Sequence, residues 1–181
     1  MTLALVRHGR TAWNADRRMQ GRTDIDLDDQ GRCQAAAAGH LLGRAQWARV
    51  VSSPLRRAVQ SAEIIAAELD GTKSPPVVTL DEDLIERDYG RAEGLSVGVV
   101  HERWPDGDYP GAEPASVATD RMRGALTRLA TAPGDSVVVA HGTVLRLGVQ
   151  SLTGSPCPRI LNGQVILIDR VTDRFVARVL G

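Results

Sequence analysis

Short β-branched runs alternate along this chain with alanine-rich stretches whose apolar residues recur at helical spacing, and that alternation restricts the fold more than any other feature. Strand runs fall at 2–6, 48–52, 77–80, 136–140, 164–169 and 174–179. Helical patterns lie between them, from Asp29 to Arg44, from Ser53 through Leu55 to Leu69, over about 116–131, and from Thr143 to Leu152. Strands separated by helices pair in parallel through crossovers and carry helices on both faces. The last two runs, joined through Thr172-Asp173, read as an antiparallel hairpin at a sheet edge. The expected fold is therefore a three-layer α/β/α domain spanning 1–181, with a mostly parallel central sheet and that hairpin at its edge. Ser53-Pro54 supplies a capping hydroxyl and a helix-starting proline, and Gly71 a stop. Residues 86–115 are broken by glycine and proline and hold one short helix at most, Val97–Arg103. Irregular stretches of that length inside a domain are usually functional or mobile, and this one is expected to cap the carboxyl edge of the sheet.

Composition narrows the partners. Lysine plus arginine and aspartate plus glutamate both number 22, for a formal net charge of zero. No basic run interleaves with aromatic residues, which argues against nucleic acid and acidic membrane surfaces. Cys33 and Cys157 stand in dissimilar contexts with no CxxC spacing, so both are expected to be free thiols in a reducing compartment. There is no signal-like leader and no apolar run long enough to span a bilayer, and the expected location is the cytoplasm. The edge hairpin leaves a homodimer open without demanding one.

Three strand runs end alike. After Leu3–Val6 come Arg7-His8-Gly9-Arg10-Thr11, with Trp13-Asn14 soon after. After Val50-Val51 come Ser52-Ser53-Pro54-Leu55-Arg56-Arg57, and after Val137–Ala140 comes His141-Gly142-Thr143. In a parallel sheet all three carboxyl ends open on one side, where open α/β sheets bind their ligands. Two histidines and at least two arginines then share one crevice, and helices starting at Ser53 and Thr143 would add the positive ends of their dipoles. That is a pocket for an anion, and its charge suits a phosphoryl group. One histidine after a buried strand is commonly structural; two, each followed by glycine, are harder to explain that way. His40 and His101 are read as surface residues, and no histidine or cysteine spacing suggests a metal site.

In these residues the chain resembles the histidine phosphatase superfamily, the phosphoglycerate-mutase-like phosphatases and mutases of branch 1. The family's opening signature matches Arg7-His8-Gly9 with Thr11-Ala12-Trp13-Asn14, continuing through Gln20-Gly21, Asp24, Leu27, Gly31 and Gln34-Ala35. Further blocks match Ser53 to Ala62, Leu84 to Leu95, and Val139-Ala140-His141-Gly142, in order over nearly the whole chain.

The resemblance implies that His8 is the nucleophile and becomes phosphohistidine. It also implies that Arg7, Arg57 and His141 grip the phosphoryl oxygens, that Asn14 donates to them, and that no cofactor or metal takes part. The acids Asp81, Glu82, Asp83, Glu86 and Asp88 would by themselves read as a solvated face; the family spacing to Tyr89-Gly90 and Glu93-Gly94 singles out Glu86 as general acid and base. Gln20 and Gly21 match positions bordering the substrate. Arg10 departs from the pattern, where many relatives carry Glu or Gln. It either favours substrates with a second negative group or pairs with an acid of the cap.

The function so implied is a metal-independent phosphoric monoester hydrolase of the histidine acid phosphatase type, acting on small phosphate esters. The runner-up is a bisphosphoglycerate-dependent mutase, against which stand the short cap and a chain ending at Gly181. A protein phosphohistidine phosphatase is a further alternative. A catalytically silent binding protein is weakly motivated, because His8, Arg57, Glu86 and His141 are all present.

Overall fold

The computed structural model describes residues 1–69, 76–172 and 174–180. Gly71 and the Asp173 half of the hairpin turn lie outside the described residues. Among those described, six strands form one sheet: β1 (Thr2–Arg7), β2 (Arg49–Ser52), β3 (Val78–Leu80), β4 (Ser136–Ala140), β5 (Val165–Val171) and β6 (Arg174–Leu180). Their spatial order is β3-β2-β4-β1-β5-β6. The first four are mutually parallel, β5 runs antiparallel to β1, and β6 closes the edge as a hairpin.

The alternation of each central strand sends its side chains to two cores. Leu3 and Leu5 of β1 join Val138 and Ala140 of β4 against α5 (Ala115–Thr131) and α6 (Gly142–Thr153). Ala4 and Val6 join Val137 and Val139 against α2 (Asp29–Leu42) and α3 (Arg56–Glu68). Both cores are aliphatic, as a chain with so few aromatic residues requires. Alanines do part of the spacing: Ala38, Ala58 and Ala62 are buried where α2 and α3 pack together.

The chain leaves β1 toward β2 and leaves β4 toward β5, in opposite directions across the sheet. The carboxyl ends of these two neighbouring strands therefore form the switch point at which such sheets bind ligands. Gly9, just past β1, packs so closely on the start of α2 that a Cβ there would lie 2.1 Å from the Gly31 carbonyl oxygen.

Several boundaries differ from the sequence expectation. α3 begins at Arg56, and its N-cap position is Leu55, with no side-chain cap. Ser53 is therefore not the cap. α2 ends at Leu42, short of Arg44. A short helix unforeseen in the sequence, α1 (Ala12–Ala15), is held by a capping box in which Thr11 and Asn14 bond each other's backbone.

The cap contains α4 (Val97–Arg103) as expected, and it is better tied down than its glycines and prolines imply. Tyr89, Ala92 and Val100 build a small core of their own with Met19, Leu95, Trp104 and Tyr109. Arg121, on α5, donates to the carbonyls of Asp83 (2.8 Å) and Ile85 (2.6 Å) and grips both Glu113 oxygens at 2.8 and 2.9 Å. One arginine thus anchors both ends of the irregular stretch.

Candidate active site

Strand register brings the two histidines together. Arg7 pairs with Ala140 across β1 and β4, so the next residues, His8 and His141, emerge as neighbours. Their ring centroids are 5.1 Å apart. His8 Nδ1 lies 2.7 Å from the Gly9 carbonyl oxygen, which can only accept. Nδ1 therefore carries the hydrogen and Nε2 keeps a free lone pair. Burial, then Arg57 and Arg7, hold the His8 pKa well below the usual imidazole range, so the ring is neutral at pH 7. Burial and the same cations do likewise for His141. His141 Nε2 is hydrogen-bonded to the Ser53 hydroxyl at 2.7 Å. Ser53 stands there because β2 runs in register beside β4, with Ser52 opposite Val139.

Arg57 has no exposed surface. Its guanidinium donates to the carbonyls of Thr23 (3.0 Å) and Gly21 (2.6 Å). Burial lowers its pKa to about 10, which leaves it charged at neutral pH. Arg7 donates to the Ile160 carbonyl at 2.7 Å. The backbone of Gly142 lies flat against it, and a Cβ at that position would come 3.1 Å from Arg7 Nε.

Glu86 is buried and receives the amides of Arg87 (2.9 Å), Thr143 (3.2 Å) and Val144 (3.2 Å). Burial raises its pKa above the usual carboxylate value, against the pull of those amides and of Arg57 and Arg7. The buried carboxyl of raised pKa and the neutral imidazole of His8 open on the same cavity.

A cavity of about 370 Å³ opens above these groups, lined by Arg7, His8, Asn14, Gln20, Glu86 and the residues of the rim. Four buried polar atoms here have no hydrogen-bond partner: Arg7 Nε, Arg57 Nε, Gln20 Nε2 and His141 Nδ1. Three of them are donors, and His141 Nδ1 is a fourth when the Ser53 hydroxyl donates to Nε2. Buried donors are nearly always satisfied, so the group marks where an acceptor belongs. Asn14 and Gln20 reach the cavity through an amide chain: Asn14 donates to Gln20 Oε1 (3.1 Å) and accepts from Asn162 (3.1 Å).

A family model described as histidine phosphatase superfamily (branch 1) matches residues 3–178. The chain belongs to that superfamily. Its relatives include the uncharacterized phosphatase PhoE of Bacillus subtilis, 40% identical over 154 residues that cover 84% of this chain and 77% of PhoE. The probable phosphoglycerate mutase GpmB of Salmonella choleraesuis is 33% identical over 191 residues, covering 96% of this chain and 86% of GpmB. Among solved structures, the mycobacterial glucosyl-3-phosphoglycerate phosphatase Rv2419c in complex with VO3 superposes with a TM-score of 0.86 at 28% identity, over 98% of this chain and 97% of that one. The family carries phosphatase and mutase chemistry, and this chain is an enzyme of that kind.

Not every expected residue lines the cavity: Arg57 and His141 are fully buried and are not among its lining residues. Arg10 bonds Asp28 at 2.7 Å, drawn to the carboxylate that caps α2, and does not line the site. Gly21 acts on Arg57 through its carbonyl and is not among the cavity-lining residues either. The expected helix dipoles are directed elsewhere: the first amides of α6 go to Glu86, and the Arg56 amide opening α3 goes to Asp24 at 2.8 Å.

His40, beside Glu68, and His101 are both exposed, as read from the sequence, and His101 also lines the cavity. Ser53 and Asn162 were missed as site residues. Asn162 also donates to the His8 carbonyl at 3.0 Å, and its one sequence signal is a turn-like Asn-Gly pair. Among the described residues no helix is long and apolar enough to cross a membrane.

Proposed function

We propose that this protein is a metal-independent phosphomonoesterase that passes the phosphoryl group of a small ester through His8 to water. The observation that carries the reading is the set of four unpartnered buried polar atoms gathered around a histidine whose Nε2 lone pair is free.

In the first step His8 Nε2 forms a bond to phosphorus as the ester P–O bond breaks. The leaving oxygen takes the proton of the Glu86 carboxyl. Arg7, Arg57 and Gln20 donate to the phosphoryl oxygens. His141 donates from Nδ1, with the Ser53 hydroxyl hydrogen turned to Nε2. Positioned donors of this kind stabilise charge that builds up during transfer. In the second step the Glu86 carboxylate takes a proton from water, the water oxygen bonds phosphorus, and the P–N bond breaks, restoring both groups.

The test is phosphate release in EDTA from a panel of phosphomonoesters by wild type and His8→Ala. Release by wild type, with a loss of at least about a thousandfold in a folded His8→Ala protein, is expected for a nucleophile. Full activity in that variant overturns the mechanism. Transfer to a second hydroxyl of the substrate, rather than to water, would make the enzyme a mutase.

A further inference from the structure

The charge lining the cavity exceeds what one phosphoryl group requires. Arg7, Arg17, Arg18, Arg87, Arg146 and Arg159 all line it, and Glu86 is the only acid among the lining residues. Arg7 and the buried Arg57 suit a phosphoryl dianion. Two of the others are held by protein groups: Arg18 by the Gly94 carbonyl (3.0 Å) and Asp16, and Arg87 by the Glu113 carbonyl (2.7 Å) and the faces of Tyr89 and Tyr109. Arg17, Arg146 and Arg159 remain. Among the described residues, none of the three has an acidic partner within ion-pair distance.

Their positions are informative. Arg159 precedes Ile160, whose carbonyl holds Arg7, so it stands next to the phosphoryl end. Arg146 lies one helical turn beyond Gly142 and Thr143 on the same face of α6. Arg17 comes three residues after Asn14, with φ of +55°, a left-handed backbone that is uncommon outside glycine. The same lining also includes Met19, Val97, Tyr109 and Ile160, which can pack on carbon.

Resting on the phosphatase reading, we infer that the substrate carries a second anionic group, a carboxylate or another phosphate, which Arg146 and Arg159 bind across a short carbon span. This reassigns to the rim the preference that the sequence suggested for Arg10. The arrangement leaves the phosphoryl group over His8 and fixes which end of the substrate enters.

The test is calorimetric binding to His8→Asn, which does not turn over, of three four-carbon esters at low and high salt. The probes are butyl phosphate, 4-phosphonooxybutanoate and butane-1,4-diol bisphosphate. A second anion should tighten binding about tenfold at low salt, the scale of one charge-assisted hydrogen bond. The gain should shrink as salt rises, because exposed charges are screened. Arg146→Gln and Arg159→Gln should each reduce the affinity ratio of the two ligands with a second anionic group to butyl phosphate, and the tighter of those two will name the second group. Equal affinity for all three overturns the subsite while leaving the phosphatase reading standing. Binding of none of them overturns both.

Discussion

The floor and the rim of this cavity are built on opposite plans. On the floor, His8, Arg57 and His141 are buried, and each is held by a fixed partner: the carbonyl of the next residue, Gly9, the 21–23 loop, and Ser53. On the rim, Arg17, Arg146 and Arg159 extend from helix and loop surfaces with no acidic partner among the described residues. The floor is set by strand register, which cannot slip without turning every core side chain to the wrong face. The rim depends on which surface residues a helix turn or loop presents. Chemistry belongs to the part of the fold that cannot vary, and specificity to the part that can.

The largest effect that would break this division is at Glu86, which sits where floor and cap meet. Glu86→Gln keeps the side chain's shape and at most the two amide contacts of one oxygen, because the other oxygen becomes an NH2, and it has no acidic proton to give. Alkyl phosphates should lose about 10²- to 10⁴-fold in kcat, the range of general acid catalysis. An activated aryl phosphate, whose leaving group needs no proton, should lose far less. The pH profile adds a second reading. With its pKa raised, Glu86 in wild type gives up its proton as pH rises through that raised value, so alkyl ester hydrolysis should fall on the alkaline side. That limb should vanish in the variant. Equal losses on both esters would remove Glu86 as the acid.

A smaller effect should come from a residue that touches neither histidine. Glu93 accepts from the Arg22 amide (2.6 Å), the Thr23 amide (3.0 Å) and the Thr23 hydroxyl (2.5 Å). It thereby fixes the loop whose carbonyls hold Arg57, and acts as a positioning residue. Glu93→Gln replaces one acceptor oxygen with a donor facing donors. KM, and inhibition by inorganic phosphate, should weaken about tenfold, the scale of one lost charge-assisted contact, with kcat less affected. Glu93→Asp should recover part of the loss. In an Arg57→Ala background the substitution should add little, because coupled sites are not additive. Full additivity would mean that Glu93 acts on the fold alone.

The same division explains what could be read from the sequence. The strands, the sense of the sheet and the convergence of His8 with His141 followed from apolar runs that all end on one side. Register did not follow, and Ser53 was misplaced for that reason. A serine before Pro54 reads locally as a helix cap, yet its partner is a histidine 88 residues away. For Arg10 the sequence left pairing with an acid open, but not which acid: the Asp28 carboxylate that claims it caps α2 and does not belong to the cap over the sheet. Glu86 gave no local signal among five nearby acids and was reached only through the family's spacing. The rim arginines were invisible in a chain where arginine is common everywhere.

The smallest expected effect is a gain, and it separates floor from rim through glycine. At Gly9 a Cβ would meet backbone at 2.1 Å, so Gly9→Ala must displace α2 from β1 and should cost several kcal/mol, as overpacking against backbone does. At Gly98, inside α4, nothing lies within 4 Å of the same added atom. Gly98→Ala should therefore stabilise the protein by about 0.5–1 kcal/mol, because alanine loses less backbone entropy in a helix. Urea midpoints measure both changes. Val97 and His101 of α4 line the cavity, so the activity of Gly98→Ala carries separate information. A stabilised variant with unchanged kcat/KM means that the α4 wall works as a rigid surface. A stabilised variant with reduced kcat means that α4 must loosen during turnover, and the rim would then be a moving part set over a fixed floor.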